Sequence, residues 1–517
     1  MADNKDPTKK PRENFTNPQG QPTIIQAETT TEQKVSTSLE MNISMIQDMF
    51  FNDDTIRIRQ FASQKNAKLK CALINIDGMV DHDIIDRHII FPINEFREVP
   101  PGEDLFEMVF RTVVSVDETS STEEPEKIAE GIVSGDTVLF VDGYAKALVI
   151  NTKKWPLRSV QEPDIEKVLR GPREGFIESI LMNLALLRRK IQSPELKFKF
   201  KTVGARTHTR CCIVYHETLA NHEILGEVVR RLNEYDLDAT LGSEYIISMI
   251  RDAKGSPFKT MGVTERPDVA AAKILEGRIA IFVEGTPVVI TLPYTFLENL
   301  QSNEDYYVGY HFASMMRVLR FIAFFMTITI PAIYIALIGF HQEFLPTPLL
   351  LSILSARESV PFPSIVELVL MLAAFEVLRE AGARMPSNVG QALSIVGALV
   401  LGQAAVEAKI VSAPVIIVAA LTGISAIVTP RLSGALIIVR ILLLAGAMVI
   451  GMYGFMLVFA AMFLHLFNIR SFGVPYMLNL TSFNAQDMKD TFIRAPWWDM
   501  RTRPKIVSSN IRRRGKA

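Results

Sequence analysis

The 517-residue chain has almost no net charge, with a formal balance of only -1. With neither sign in excess, composition gives no case for a nucleic-acid partner. Cysteine is scarce: Cys71, Cys211 and Cys212 form no CxxC pair, and three thiols cannot build a disulfide framework. Reduced, buried thiols in a cytosolic region are the expectation. No Walker loop, no GxGxxG and no nucleophile–base arrangement is present, so neither an enzyme nor a cofactor is expected. The opening residues, MADNKDPTKKPRENFTNPQGQPT, contain no apolar h-region. The expectation is therefore no secretory signal and a cytoplasmic N-terminal portion.

What is abundant is hydrophobicity, and it is concentrated. The mean hydropathy is +0.20 although 21% of residues are charged. Residues 1–317 carry charge throughout, whereas 321–468 are overwhelmingly apolar. This predicts an α/β cytoplasmic region of two subdomains joined to an all-α polytopic membrane domain. The expected divisions are a disordered leader at 1–38, subdomains at 39–170 and 171–317, the membrane domain at 318–470, and a basic cytoplasmic tail at 471–517.

Within the charged region, Leu39, Ile43, Ile46, Met49 and Phe50 fall at helical spacing, and KCALINI (70–76) reads as a buried strand. VLFVDGYAKALVI and IAIFVEGTPVVITL each read as a β-hairpin turning at an acidic-Gly pair. A shift of 142 residues lays PEKIAEGIVSGDTVLFVDG (125–143) over PDVAAAKILEGRIAIFVEG (267–285) without a gap. This predicts two related helix–hairpin units, one per subdomain. GFIESILMNLALLRRKI (175–191) predicts an amphipathic helix, and LKFKFK (196–201) a strand with one wet face.

In the apolar region, Phe321–Phe340 is twenty residues without a charge, the length of one bilayer crossing, and it tolerates its internal Pro331. Arg317 and Arg320 just before it predict a cytoplasmic start. Further apolar segments run Ile365–Ala381, Val389–Ala405, Ile410–Thr429 and Ala435–Phe467. The tail from Arg494 carries Arg494, Arg501, Arg503, Lys505, Arg512, Arg513, Arg514 and Lys516 against one acid, Asp499. It is expected to be cytoplasmic and to meet anionic lipid. Two cytoplasmic ends require an even number of crossings, yet five segments qualify. Either one fails to span, or a broken element hides in Leu349–Ala356 or in the last segment, which at about 50 Å overshoots the bilayer.

FLPTPLLLSILSARESVPFPS (344–364), FEVLREAGARMP and GQALSIVGALVLGQAAVEAKIVSAP (390–414) resemble the GerA family of spore-germination proteins. The resemblance continues at IDGMVD (76–81), GDTVLFVDG (135–143), RGPREGFIESILMNLALLRRKI (170–191) and VTERPDVAAAKILEGRIAIFVEGTP (263–287), and covers roughly residues 40–480. It implies an A-type subunit of a germinant receptor, or a paralogue, in the inner membrane of the spore. The implied partners are a permease-like B subunit, a lipoprotein C subunit and further copies of this chain, assembled into a nutrient-gated cation channel. A non-conducting scaffold or signal relay and a solute transporter remain the alternatives, although no inverted repeat marks a transporter.

Ionisable residues inside membrane segments face a bundle interior or a water-filled path. Glu367, Glu376, Arg379 and Glu380 therefore become pore or gate candidates, with Glu376 and Arg379 at pairing distance one turn apart. Arg357, Glu358, Val360 and Pro361, at the VPFP kink, are candidates for a re-entrant mouth or gate. Acidic rings in an oligomer favour cations, and salt bridges at the membrane surface or between subunits would use the same residues. Arg170 and Arg173 are candidates for anion or subunit contact ahead of a helix start. His82 and Asp86 stand one turn apart, but a helix with an acidic first turn accounts for them, and no metal site is expected.

Overall fold

The computed structural model describes residues 34–66, 69–96, 104–114, 116, 118–154, 163, 166, 168, 170–385, 397, 400–478, 490–500, 502, 503 and 508. Most of the expected leader lies outside these residues. So do most of Val389–Ala405 and the tail residues Arg501, Lys505, Arg512, Arg513, Arg514 and Lys516.

The charged region contains two five-stranded antiparallel sheets of identical topology. The first uses β1 (Ile56–Ala62), β2 (Lys70–Ile76), β3 (Thr119–Thr122), β4 (Thr137–Val141) and β5 (Ala147–Ile150), in the order β1-β2-β4-β5-β3. Period-2 alternation gives its central strands two apolar faces. Ala72, Ile74, Val138 and Phe140 pack under helices α1 (Leu39–Met49) and α2 (Pro125–Ser134). Cys71, Leu73 and Leu139 face the helical stretches 82–95 and 105–113 on the other side.

The second sheet repeats this with β6 (Leu196–Val203), β7 (Thr209–His216), β8 (Gly262–Thr264), β9 (Ile279–Val283) and β10 (Val289–Leu292), in the order β6-β7-β9-β10-β8. Cys212, Val214, Ala280 and Phe282 pack under α3 (Ile180–Lys190) and α6 (Pro267–Leu275). Cys211, Ile213, Ile279 and Ile281 face α4 (His222–Asn233) and α5 (Ser243–Ile250).

The repeat reaches well beyond the helix–hairpin units read from sequence. The Asn42 side chain closes on the backbone N–H and C=O of Ser36, and Asn183 does the same to Ile177. The Gly143 N–H donates to Thr37 O, and the Gly285 N–H donates to Glu178 O. Asp81 and Asn221 each cap a helix by accepting the N–H two residues on. Cys71 pairs Val141 as Cys211 pairs Val283, and burial pushes both thiols up to about 12. Gly135 and Gly277 end their helix segments at φ of +93° and +92°, where a side chain would be strained. One difference from expectation is that α3 starts at Ile180 rather than Gly175. Asn183 holds Ile177 in a turn, and Ser179 enters the helix extended.

The halves join at the loop before β1. Arg188 of α3 and Asp53 form a salt bridge whose side chains are 1% and 0% exposed. Beside it, the Asp54 N–H donates to Phe198 O, and the Asp54 carboxylate accepts the Phe200 N–H.

After β10, Thr295 and Glu298 form a capping box, and the Glu298 carboxylate accepts from Arg278 at 2.8 Å and lies 2.8 Å from Lys273. The chain then enters α7 (Tyr310–Phe340), followed by α8 (Thr347–Arg357), α9 (Ser364–Ala383), helical residues at 400–407, α10 (Ala413–Val428), α11 (Ser433–Ile450) and α12 (Met452–Asn468). Among the described residues, Tyr310–Phe340 and Pro430–Ile450 are long and apolar enough to cross a bilayer, and Ala413–Val428 and Met452–Asn468 are apolar but shorter.

The segment Ala435–Phe467 is therefore two helices, broken at Gly451 with φ of +66°. The hairpin depends on small residues: a Cβ on Gly454 would lie 2.0 Å from Gly446 O. Arg317 and Arg320, expected to mark the cytoplasmic edge, bond the buried Asp305 carboxylate at 2.8–3.0 Å. The α/β region and the helices share one core, in which Phe296 meets Phe258, Phe324 and Tyr476 edge-on. After α12, the short hairpin of β11 (Arg470–Ser471) and β12 (Val474–Pro475) returns Phe472 to the core of the second half, under Arg231.

Two predictions follow from these buried charges. Asp53→Ala leaves the Arg188 guanidinium buried and unpaired, so the detergent-solubilised chain is expected to lose about 3–5 kcal/mol of stability, measured by thermal or chemical denaturation. Burial opposes ionisation of Glu298, but Arg278 and Lys273 outweigh it and hold the carboxyl at about 2, below its ordinary 4.5. Its contribution is present in full above about pH 4.5 and disappears as pH falls towards about 2. Melting temperatures measured across that window are expected to fall less steeply in Glu298→Gln than in the parent.

Candidate functional site: the charged helix α9

Helix α9 carries its ionisable residues on an otherwise apolar element. The Glu367 side chain is fully buried. Its Oε2 accepts the Ser412 N–H at 2.7 Å and the Ser412 hydroxyl at 2.6 Å, and its Oε1 lies 3.5 Å from Arg357 Nε. Ser412 immediately precedes α10, and Arg357 ends α8. One carboxylate thus ties three elements together.

Glu376, two to three turns further along α9, makes the pair with Arg379 that the spacing predicts, at 2.7 Å. It also takes Arg440 of α11 at 2.6 Å. Arg440 is nearly buried, at 6% side-chain exposure, and has the Glu376 carboxylate as its counter-charge. Sequence reasoning missed it. The available signal was its isolation: a single cation in ALIIVRILLLAGA needs a partner inside the bundle.

The other candidates face outward. Glu380 pairs with Arg384 at 2.6 Å, and both side chains are exposed. Glu358 and Pro361 are exposed and Val360 is half-buried, at the corner between α8 and α9. In α8 itself Ile353 is the buried residue, while Leu349, Leu351 and Leu354 stay exposed. The candidates thus divide into two carboxylates spent on internal arginines and an exposed corner.

Arg170 and Arg173 are exposed, and the helix they were expected to precede begins at Ile180. Arg266 occupies the inner side of that loop instead, donating to Pro172 O at 2.6 Å and pairing with Asp268. His82 and Asp86 are exposed, and Asp81 caps the helix start while pairing with Lys154 at 2.9 Å. A cavity of about 450 Å³ opens where the second half, the α10–α11 turn and the tail meet, lined by Lys273, Glu276, Tyr294, Glu298, Arg431 and Trp497 among others. Its charges are engaged: Lys273 with Glu298, and Arg431 with Glu166 at 2.8 Å.

The family profile described as Bacillus/Clostridium GerA spore germination protein matches residues 44–506. Spore germination protein KA of Bacillus subtilis (strain 168) is 39% identical over 485 residues, covering 93% of this chain and 89% of that one. A second protein of that strain, uncharacterized membrane protein YfkQ, is 38% identical over 494 residues, covering 95% and 96%. The crystal structure of the N-terminal domain of the A subunit of the Bacillus megaterium spore germinant receptor GerK3 aligns at 28% identity and a TM-score of 0.41, covering 52% of this chain and 98% of that domain. By a match that spans both sheets and the helices beyond them, the chain belongs to the GerA family of spore germination proteins.

Proposed function

We propose that this protein is the multi-pass A subunit of a spore germinant receptor. Several copies, with a permease-like B subunit and a lipoprotein C subunit, form a nutrient-gated cation channel in the inner membrane of the spore. Both termini lie in the cytoplasm. The split at Gly451 supports this topology. With α7, α9, the apolar segment Val389–Ala405 expected from sequence, α10, α11 and α12 as crossings, the count becomes even, as two cytoplasmic ends require.

The observation that carries the gating reading is the double clamp on α9. Glu367 is held by Arg357 and Ser412 near one end, and Glu376 by Arg440 and Arg379 near the other. In a low-dielectric bundle such pairs have few intermediate positions, because separating them strands a charge. They fix the α8–α9 corner, where Arg357, Glu358, Val360 and Pro361 form the constriction of the assembled pore. Glu358 and Glu380, exposed in the single chain, supply the cation preference. Arg170 and Arg173 serve subunit contact.

The non-conducting relay has one observation in its favour: the two most buried acids among the pore candidates, Glu367 and Glu376, are already paired with cations within the chain. Ion flux through reconstituted receptor separates the readings. Val360→Ala is expected to leak or to change selectivity at normal protein abundance. Glu376→Gln is expected to shift gating, and Arg440→Gln added to it is expected to restore part of the loss by removing the stranded cation. Parent-like gating in Val360→Ala and Glu376→Gln would sink the pore assignment, and assemblies that never conduct would favour the relay.

A further inference from the structure

The cavity of about 450 Å³ takes its walls from three parts of the chain: α6, β8 and β10 of the second half, the α10–α11 turn, and the tail. Close-packed interiors contain few voids larger than a water molecule. A space of this size falls within the roughly 300–1,000 Å³ of small-molecule pockets. What it would hold follows from the chemistry of its walls.

The charges on those walls are spent inside the chain. Lys273 lies 2.8 Å from Glu298 and 3.7 Å from Glu276, and Arg431 pairs with Glu166 at 2.8 Å. Asp268 pairs with Arg266 at 3.0 Å and accepts from Asn303 at 2.8 Å and from the Tyr307 hydroxyl at 2.7 Å. Arg503 donates its Nε–H to Leu275 O at 2.7 Å. A ligand with net charge would have to break one of these arrangements and strand the displaced partner. The cavity thus selects against ions.

Carbon and ring surfaces make up much of the rest. Val263, Val269, Ala272 and Leu275 contribute aliphatic groups, and Tyr294 and Trp497 contribute rings. Trp497 is fixed at the rim: its ring centroid is 6.0 Å from that of Tyr306, and the Arg494 guanidinium lies over both rings. Ring-lined walls favour a flat apolar body that can stack or pack edge-on.

One polar group is left over. Thr291 of β10 is only 5% exposed and lines the cavity, and its hydroxyl has no hydrogen-bond partner among the described residues. Buried polar groups are normally paired. Gly262 of β8 makes the space for this arrangement, since a Cβ there would lie 2.6 Å from the Thr291 hydroxyl and 2.7 Å from the Tyr294 ring.

We propose that this cavity binds an uncharged planar ring compound carrying one ring N–H, packed against Tyr294 and Trp497 and donating to the Thr291 hydroxyl. The site goes beyond the receptor reading and does not depend on whether the assembly conducts. Its occupant touches the second half, the helical bundle and the tail at once.

Radiolabelled indole, uncharged and with a single ring N–H, is the probe. In equilibrium dialysis against the full-length protein in detergent, uptake is expected to contain a saturable component of one indole per chain above the linear uptake of the micelles. Ala272→Trp, at an exposed position of α6, fills the cavity and is expected to remove that component with the melting temperature unchanged. Val263→Trp fills it from β8 and decides the matter if the first variant melts early. Thr291→Val is expected to weaken binding roughly two- to tenfold, the worth of one hydrogen bond. Tryptamine, a cation, and indole-3-acetate, an anion, are expected to compete at least about tenfold less well than indole. Linear uptake alone, or a saturable component that survives both tryptophan variants, overturns the site. Charged analogues that compete as well as indole overturn the ligand class, and unchanged affinity in Thr291→Val overturns the hydrogen bond.

Discussion

A charge taken out of water must have its counter-charge within a few ångströms, and this constraint organises the molecule more than any single element does. Arg188 and Asp53 lock the two α/β halves together. Arg278 and Lys273 hold Glu298, whose capping box turns the chain from β10 towards the helices. Asp305 gathers Arg317 and Arg320 at the base of α7, and Glu376 meets Arg440 within the bundle. These pairs are a weak source of net stability, since desolvation offsets much of their attraction. Their effect is to specify: a misregistered helix or a displaced half would strand a charge.

The duplication shows how one α/β unit became a connector. In the first half Val80 bridges Lys153, which follows β5 directly. In the second half the equivalent Ala220 bridges Ser508, from the tail, because the chain leaves β10 for the capping box and α7. The returning segments fill what the departure opens. Phe472 enters the core of the second half after α12, and Arg503 donates to Leu275 O. The second half is thereby laced to both ends of the helical region, whereas the first half keeps its own strand extension.

Local pattern made much of this legible. Continuous apolar runs identified the buried strands, the 142-residue shift identified the duplication, and helical spacing identified the Glu376–Arg379 pair. The alternation of LKFKFK pointed to a wet face, but Lys197 is buried. The duplication was seen over one helix and one hairpin only. Its remaining correspondences, such as Asn42 with Asn183, lie in side-chain-to-backbone bonds that preserve geometry while the residues around them change. The α3 start was misjudged for the same reason, since Asn183 acts on a residue upstream of its own helix. The break at Gly451 was open as an alternative but not located, because Gly446, Gly451 and Gly454 all read equally as close-packing residues. Arg440 escaped because its partner lies 64 residues away, beyond the reach of any periodicity.

The shared core constrains where motion is possible. Aromatic packing from Phe258 through Phe296 to Phe324 joins the second half directly to α7, α11 and α12, and close-packed interiors shift between discrete arrangements rather than bending. Helix α9 is held differently. Its fully buried residues are Glu367, Leu368, Met371 and Leu372, all in its first half, and α8 contributes Ile353. Beyond Leu372, Phe375 packs against Gly423 of α10 and Glu376 pairs with Arg440. Because separating these pairs would strand a charge, they fix the position of α9 rather than loosen it. Helix α9 packs directly on α7 and α10 as well as pairing with Arg440, so it is coupled to the rest of the bundle by packing and by charge together.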